Sequence, residues 1–280
     1  MQKPIIAIMY DFDKTLCTRD MQEYTFIPSV GMEPDEFWRH TAEVARAETM
    51  DSILTYMYCM VEKARQAGNP LTRESLVAGG KDIEYHPGVE GWFERINRYA
   101  EEAGVLVEHY VLSSGLKEII EGTSIAKYFK RIYACEFFYK DGYAFWPKMS
   151  VNYTNKTQFV YRINKGVLDI NNDVDLNNSR PDNEKRVFFS NMIYIGDGLT
   201  DVPCMKLVKQ SGGHSIAIYH PGQHSNAAPL LKHERVDWMF EADYSEGSEL
   251  DRTMKLLLQN LAYYNKLKGL NEQQKKELNE

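Results

Sequence analysis

Ile5-Ile6-Ala7-Ile8-Met9-Tyr10-Asp11-Phe12-Asp13-Lys14-Thr15 runs an unbroken apolar stretch into two carboxylates. An apolar run without alternation suits a strand buried on both faces, the kind found in parallel sheets covered by helices. Ligands of such sheets sit beyond the carboxyl ends of the strands. Asp11 falls at that end, and Asp13 stands two residues on. Two acids at one strand tip have a chemical reading: Asp11 as nucleophile, Asp13 as general acid and base, and a cation to hold the charges together. Thr15 would fix the local geometry or touch a phosphate oxygen. The alternative is a capped turn after a strand, where Asp and Thr are common.

Downstream the pattern alternates. Pro87-Gly88 opens a helix through Trp92, Phe93 and Ile96 that stops near Gly104, followed by a strand over 105–112. A short helix after Gly115, strands over 131–138, 192–195, 215–219 and 236–240, a helix over 154–164 closed by Gly166, and a last helix over about 249–268 complete the series. Asp141-Gly142 marks a hairpin turn, and the segment around Trp146 carries no clear signal. From Glu33 to Gly80 the sequence is helical instead: Pro34-Asp35-Glu36 reads as a first turn, and Asp51 precedes Ile53, Leu54, Met57, Tyr58 and Val61 at helical spacing. The expected fold is α/β, a Rossmann-like parallel sheet core with an inserted α-helical cap domain. The core would take residues 1–16 and 87–270, the cap 17–86, and the polar tail 271–280 would fray.

Two further strand ends carry polar residues. Ser113-Ser114-Gly115 offers hydroxyls and freed backbone amides to an oxyanion, or serves as an N-cap and turn. Gly196-Asp197-Gly198-Leu199-Thr200-Asp201 adds two carboxylates on a tight loop. Magnesium takes oxygen ligands, usually one or two carboxylates with substrate phosphate and water. Asp197 is the natural direct ligand, while Asp201 binds the metal, stands behind it, or caps the helix through Met205 and Val208. Phosphoryl chemistry also needs a fixed cation, and Lys156, at the start of a predicted helix, is better placed than Lys148 or Lys165. Asp173-Val174-Asp175-Leu176-Asn177-Asn178 with Glu184 imitates a calcium loop, but it lacks the turn glycine, and a strand is expected at 186–189. A solvated insertion is the better reading.

The chain has 280 residues, 43% of them apolar, enough for a full core. Its 33 Lys and Arg against 40 Asp and Glu leave a net charge of -7, which disfavours nucleic acid and anionic membrane surfaces as partners. Cys17, Cys59, Cys135 and Cys204 are too scattered for a disulfide framework. The early apolar run meets Asp11 too soon for a signal peptide or a membrane span, so a cytoplasmic protein is expected.

Taken in order, Asp11-x-Asp13-x-Thr15, Ser113, Lys156 and Gly196-Asp197-Gly198-x-x-Asp201 resemble the four motifs of the haloacid dehalogenase superfamily, over about residues 4–245. The resemblance implies an aspartyl-phosphate on Asp11, with Asp13 protonating the leaving oxygen and later activating water. It implies phosphate binding by Thr15, Ser113, Ser114, Gly115 and Lys156, and Mg2+ held by Asp11, the backbone carbonyl of Asp13 and Asp197, with Asp201 close by. The helical insertion between the first two motifs is similar to that of phosphoserine phosphatase-like members. Those members carry a substrate-reading Glu where Asp20 stands here, and their cap Arg has no clear counterpart. The expected activity is hydrolysis of a small phosphorylated metabolite. Phosphoryl transfer to an acceptor alcohol is the alternative enzyme reading, and a non-catalytic binding protein is the alternative from another class.

Overall fold

A computed structural model describes residues 3–179, 181 and 184–278. Seven strands form one sheet in the order β4-β3-β2-β1-β5-β6-β7. They are β1 Ile5–Tyr10, β2 Leu106–Leu116, β3 Phe129–Lys140, β4 Tyr143–Met149, β5 Met192–Gly196, β6 His214–Tyr219 and β7 Trp238–Glu241. β1 lies at the centre, parallel to β2 and β5, and every residue from Ile6 to Tyr10 is buried, as the unbroken apolar run requires. The parallel core carries an antiparallel edge at the hairpin that the sequence predicts at Asp141-Gly142: β4 folds back on β3. Asp141 (φ 52°) and Gly142 (φ 84°) are both left-handed, which makes the tight hairpin turn and gives the Trp146 segment its place as an edge strand.

Between β1 and β2 the chain is helical. It forms α1 Phe26–Ser29, α2 Pro34–Glu48, α3 Ser52–Gln66 and α4 Arg73–Gly79 before α5 Val89–Ala103 returns it to the sheet. The two connecting segments pair with each other: Cys17 bridges Tyr85, Thr18 N–H donates to Glu84 O at 2.9 Å, and His86 N–H donates to Leu16 O at 3.1 Å. The remaining helices are α6 Lys117–Glu121, α7 Lys156–Lys165, α8 Asp173–Asn177, α9 Val202–Gln210, α10 His224–Lys232 and α11 Glu249–Glu277.

Two sequence expectations fail locally. The polar tail does not fray at 271, because α11 continues to Glu277; Glu272 to Glu277 are all strong helix formers. The strand expected at 186–189 is absent, and a 3-10 turn at Phe189–Asn191 leads into β5. The acidic segment after α7 is solvent-facing, as a solvated insertion requires, and carries the short helix α8. Buried Arg162 donates to the carbonyls of Asp169 (2.7 Å) and Ile170 (3.0 Å) and to Asp173 Oδ1 (2.6 Å), so the first carboxylate of the calcium-like pattern is taken by a guanidinium. Arg180, Asp182 and Asn183 of that segment lie outside the described residues.

Candidate active site

Pairing between β1 and β2 ends at Tyr10 and Val111, and pairing between β1 and β5 ends at Tyr10 and Ile195. The next residues of all three strands therefore stand together above the central strand. Asp11 is 6% exposed there, and its Oδ1 accepts from Phe12 N–H at 2.8 Å and from Lys156 Nζ at 3.1 Å. Lys156 is fully buried and donates also to Asp201 Oδ1 at 2.9 Å. An Asx turn aims it: Asn152 Oδ1 accepts from Thr154 and Asn155 N–H, and Asn155 Oδ1 accepts from Asn152 N–H, so Lys156 becomes the first helical residue of α7. Lys148 and Lys165 are engaged elsewhere, with Glu136 and with the carbonyls of Leu176 and Asn178.

Asp11, Asp197 and Asp201 each place a carboxylate oxygen within 4.8 Å of the others. Burial, then the Asp201 charge, pushes Asp11 up to about 7 against the opposing pull of Lys156. Burial, then Asp201 and Asp11, pushes Asp197 up to about 8. Burial disfavours the Lys156 ammonium, but Asp11 and Asp201 raise it on balance. Three carboxylates thus outnumber the ammonium groups of Lys156 and Lys14 that act on them, an excess of negative charge that a hard divalent cation with oxygen ligands fits. Gly196 makes the close approach possible, since a Cβ there would come within 2.5 Å of Asp201 Oδ2.

The Asp13 side chain stands apart from that cluster. Its Oδ1 accepts from Met21 N–H at 2.8 Å, and burial, then Asp20 and Asp11, holds the carboxyl well above the usual range. A Cβ on Gly115 would lie 2.7 Å from Asp13 Oδ2, so the second strand end touches the first through a glycine. Ser113 is buried and its Oγ accepts from Gly115 N–H at 2.9 Å, while the buried Ser114 Oγ has no partner. Thr15 makes only a long 3.5 Å contact to Asp197 Oδ1, although its carbonyl is fixed by Tyr244 OH at 3.0 Å. Asp20 binds Lys14 Nζ at 2.6 Å, and Lys14 itself has a left-handed backbone (φ 57°). A cavity of ≈ 410 Å³ opens beside Lys14 and Asp197, lined further by Thr18, His220, Gln223 and Asn226.

Several contributors were not evident from sequence. Tyr194, hidden in the apolar run of β5, donates from its OH to Asp201 Oδ1 at 2.7 Å; a buried tyrosine needs such a partner, which was the available signal. Tyr56 of α3 donates to Ser114 O at 2.7 Å and so ties the insertion to the second strand end. Met21 supplies the amide on Asp13, and its Sδ accepts from Leu116 N–H at 3.0 Å.

An uncharacterized protein of Borreliella burgdorferi is 28% identical over 274 residues, covering 88% of this chain and 94% of its own. Among solved structures, a HAD family hydrolase from Salmonella enterica serovar Typhi superposes with a TM-score of 0.56 at 16% identity, covering 85% of this chain and 67% of that one. A phosphoserine phosphatase carrying a phospho-aspartyl intermediate analogue gives a TM-score of 0.55 at 17% identity, covering 91% and 99%. The sequence model of the haloacid dehalogenase-like hydrolases matches residues 8–206, from β1 through the loop that carries Asp197 and Asp201. A match of that extent settles the family: this chain belongs to the haloacid dehalogenase-like hydrolases.

Proposed function

We propose that this hydrolase is a magnesium-dependent phosphatase acting on a small phosphomonoester through an aspartyl-phosphate on Asp11. The observation that carries the reading is the division between two carboxyls on one strand tip. Asp11 lies 3.1 Å from the Lys156 ammonium, while Asp13 is turned to the Met21 amide and held toward its protonated form. In the first step the Asp11 carboxylate bonds to phosphorus, the bond from phosphorus to the ester oxygen breaks, and the Asp13 proton goes to that oxygen. In the second step Asp13 takes a proton from water as the water oxygen attacks phosphorus, releasing phosphate and restoring Asp11. Lys156, the Ser113–Gly115 backbone and the Ser114 hydroxyl bind the phosphoryl oxygens, and Thr15 shapes the loop. A magnesium ion held by Asp11, Asp197 and the Asp13 carbonyl would screen the repulsion between Asp11 and the phosphate. Asp201, with Oδ1 shared between Lys156 and Tyr194, acts beside that set by positioning Lys156.

Residues 17–86 form the cap in this reading, supported by the pairing of Cys17 with Tyr85 at its base and by the Tyr56 contact to Ser114. Asp20 takes the position of the substrate-reading Glu in the family resemblance, but it is already paired with Lys14. A substrate ammonium would have to displace Lys14, which favours a phosphomonoester without one over phosphoserine. No helix among the described residues is long and apolar enough to cross a membrane. A cytoplasmic setting is supported by four buried cysteines that form no disulfide.

The test is magnesium-dependent hydrolysis of an aryl phosphate by the wild type and by Asp11→Asn. Loss of at least about 10³-fold in the variant is expected, because its amide cannot form the phosphoenzyme. Activity retained in Asp11→Asn would refute the mechanism. Product analysis with an added alcohol separates hydrolysis from transfer, which would yield a new phosphomonoester.

A further inference from the structure

A second group of metal-type donors lies in the helical insertion, apart from the aspartate cluster. His40 of α2 and Cys59 and Glu62 of α3 each place one donor atom within 4.8 Å of the others. The positions follow from the helices: Cys59 and Glu62 are three residues apart and share a face of α3, and α2 runs back along α3 after the short turn at 49–51. Cys59 is fully buried. His40 Nε2 is cut off from water and has no hydrogen-bond partner. A buried ring nitrogen without a partner is destabilising unless a ligand satisfies it. Glu62 accepts from Gln66 Nε2 at 3.3 Å on Oε1, and a carboxylate has a second oxygen to offer.

We propose that His40, Cys59 and Glu62 bind a zinc-class divalent metal that clips α2 to α3. One imidazole nitrogen, one thiolate and one carboxylate oxygen form a donor set that suits zinc or cobalt(II) and is foreign to magnesium, which takes oxygen. Three protein donors leave the fourth tetrahedral position to water. Zinc donors stand roughly 3–4 Å apart, so small side-chain movements close the site. Binding takes the proton from the Cys59 thiol to solvent and forms the metal–sulfur bond without redox change. The site is independent of the phosphatase reading, since it shares no residue with the strand tips.

Cobalt(II) titration of the full chain, with saturating magnesium present to occupy the aspartates, tests this directly. The wild type should develop a thiolate-to-cobalt charge-transfer band that saturates at one equivalent and is bleached by zinc. Cys59→Ser should lose the band, and His40→Gln should weaken binding at least tenfold. Circular dichroism reports whether Cys59→Ser stays folded; if it does not, the half-buried His40→Gln decides alone. Absence of the band in the wild type, its survival in Cys59→Ser, unchanged affinity in His40→Gln, or its displacement by magnesium would each overturn the proposal.

Discussion

The strand tips and the helical insertion treat their polar groups differently. At the tips, Asp11, Asp13, Lys156 and Asp201 are each fixed by groups from another stretch of the chain: Lys156 joins Asp11 to Asp201, Tyr194 holds Asp201, and the Met21 amide holds Asp13. In the insertion, Gln22 Oε1 and His40 Nε2 are buried without partners, and at the tips the same holds for the uncharged Ser114 Oγ. The charged groups of the first region are preorganised, so in the proposed mechanism they need not reorganise during reaction. Under the proposed function, chemistry and recognition answer to different perturbations, and substitutions can separate them.

The largest effect on stability is expected at Asp201. Asp201→Ala removes a fully buried acceptor from both Lys156 and Tyr194, leaving an ammonium with less compensation in the core. Breaking a buried pair in this way costs about 3–5 kcal/mol, read as a drop in the denaturation midpoint. Asp201→Asn keeps an oxygen for both donors and should lose less. Equal losses would mean that the charge, and not the hydrogen bonding, fixes Lys156.

Protein stripped of divalent metal should lose stability as pH rises from about 4 to 8. Asp11 and Asp197 hold their protons to about 7 and about 8 when folded, whereas unfolded carboxyls release them near 4. The folded state binds more protons across that window, so the slope is negative. Magnesium should flatten the slope, because a cation stabilises the ionised carboxylates. A pH-independent melting temperature in the stripped protein would show that the cluster carries no charge strain.

Glu108, toward the other end of β2, gives the opposite sign. Burial alone would raise its pKa, but hydrogen bonds from Arg186, Lys130 and Tyr110 hold it down at about 2. Its stabilisation is therefore present above about pH 4.5 and is lost as pH falls toward 2. Glu108→Gln should cost about 1–2 kcal/mol at neutral pH, reduced by the partial exposure of both cations, and should remove that acid-dependent loss. Activity should be unaffected.

What sequence revealed follows the same division. Asp11, Asp13, Ser113, Lys156, Asp197 and Asp201 are readable because each sits at a local signal, a strand tip or a helix start, in a fixed order. The structure brings Asp11, Lys156, Asp197 and Asp201 together by placing β1 between β2 and β5. Met21, Tyr56, Tyr194 and Tyr244 were not readable, since each acts through one amide or hydroxyl aimed at a residue distant in sequence or hidden in an apolar run. The Lys14–Asp20 pair depends on the left-handed backbone of Lys14, which no local pattern announces. The β4 edge is legible only at its hairpin turn: Tyr143, Phe145 and Trp146 are exposed, so that strand lacks the burial pattern by which strands are recognised.

The smallest effect is expected at Asp51, and it tests the independence of the insertion. Its carboxylate caps α3, accepting from Ile53 N–H at 2.9 Å and Leu54 N–H at 3.0 Å. Asp51→Ala leaves those donors to water and costs about 1 kcal/mol. If the insertion is a separately stabilised unit, the cost appears as faster amide exchange in α2 and α3, with exchange in β1 and β5 unchanged. The kcat for an aryl phosphate, which needs only the strand tips, should hold, while KM for a cognate substrate should rise as α3 loosens its Tyr56 contact to Ser114. Equal exchange acceleration in β1 would show one cooperative unit, and the division between fixed chemistry and adaptable recognition would then have to be drawn within the site itself.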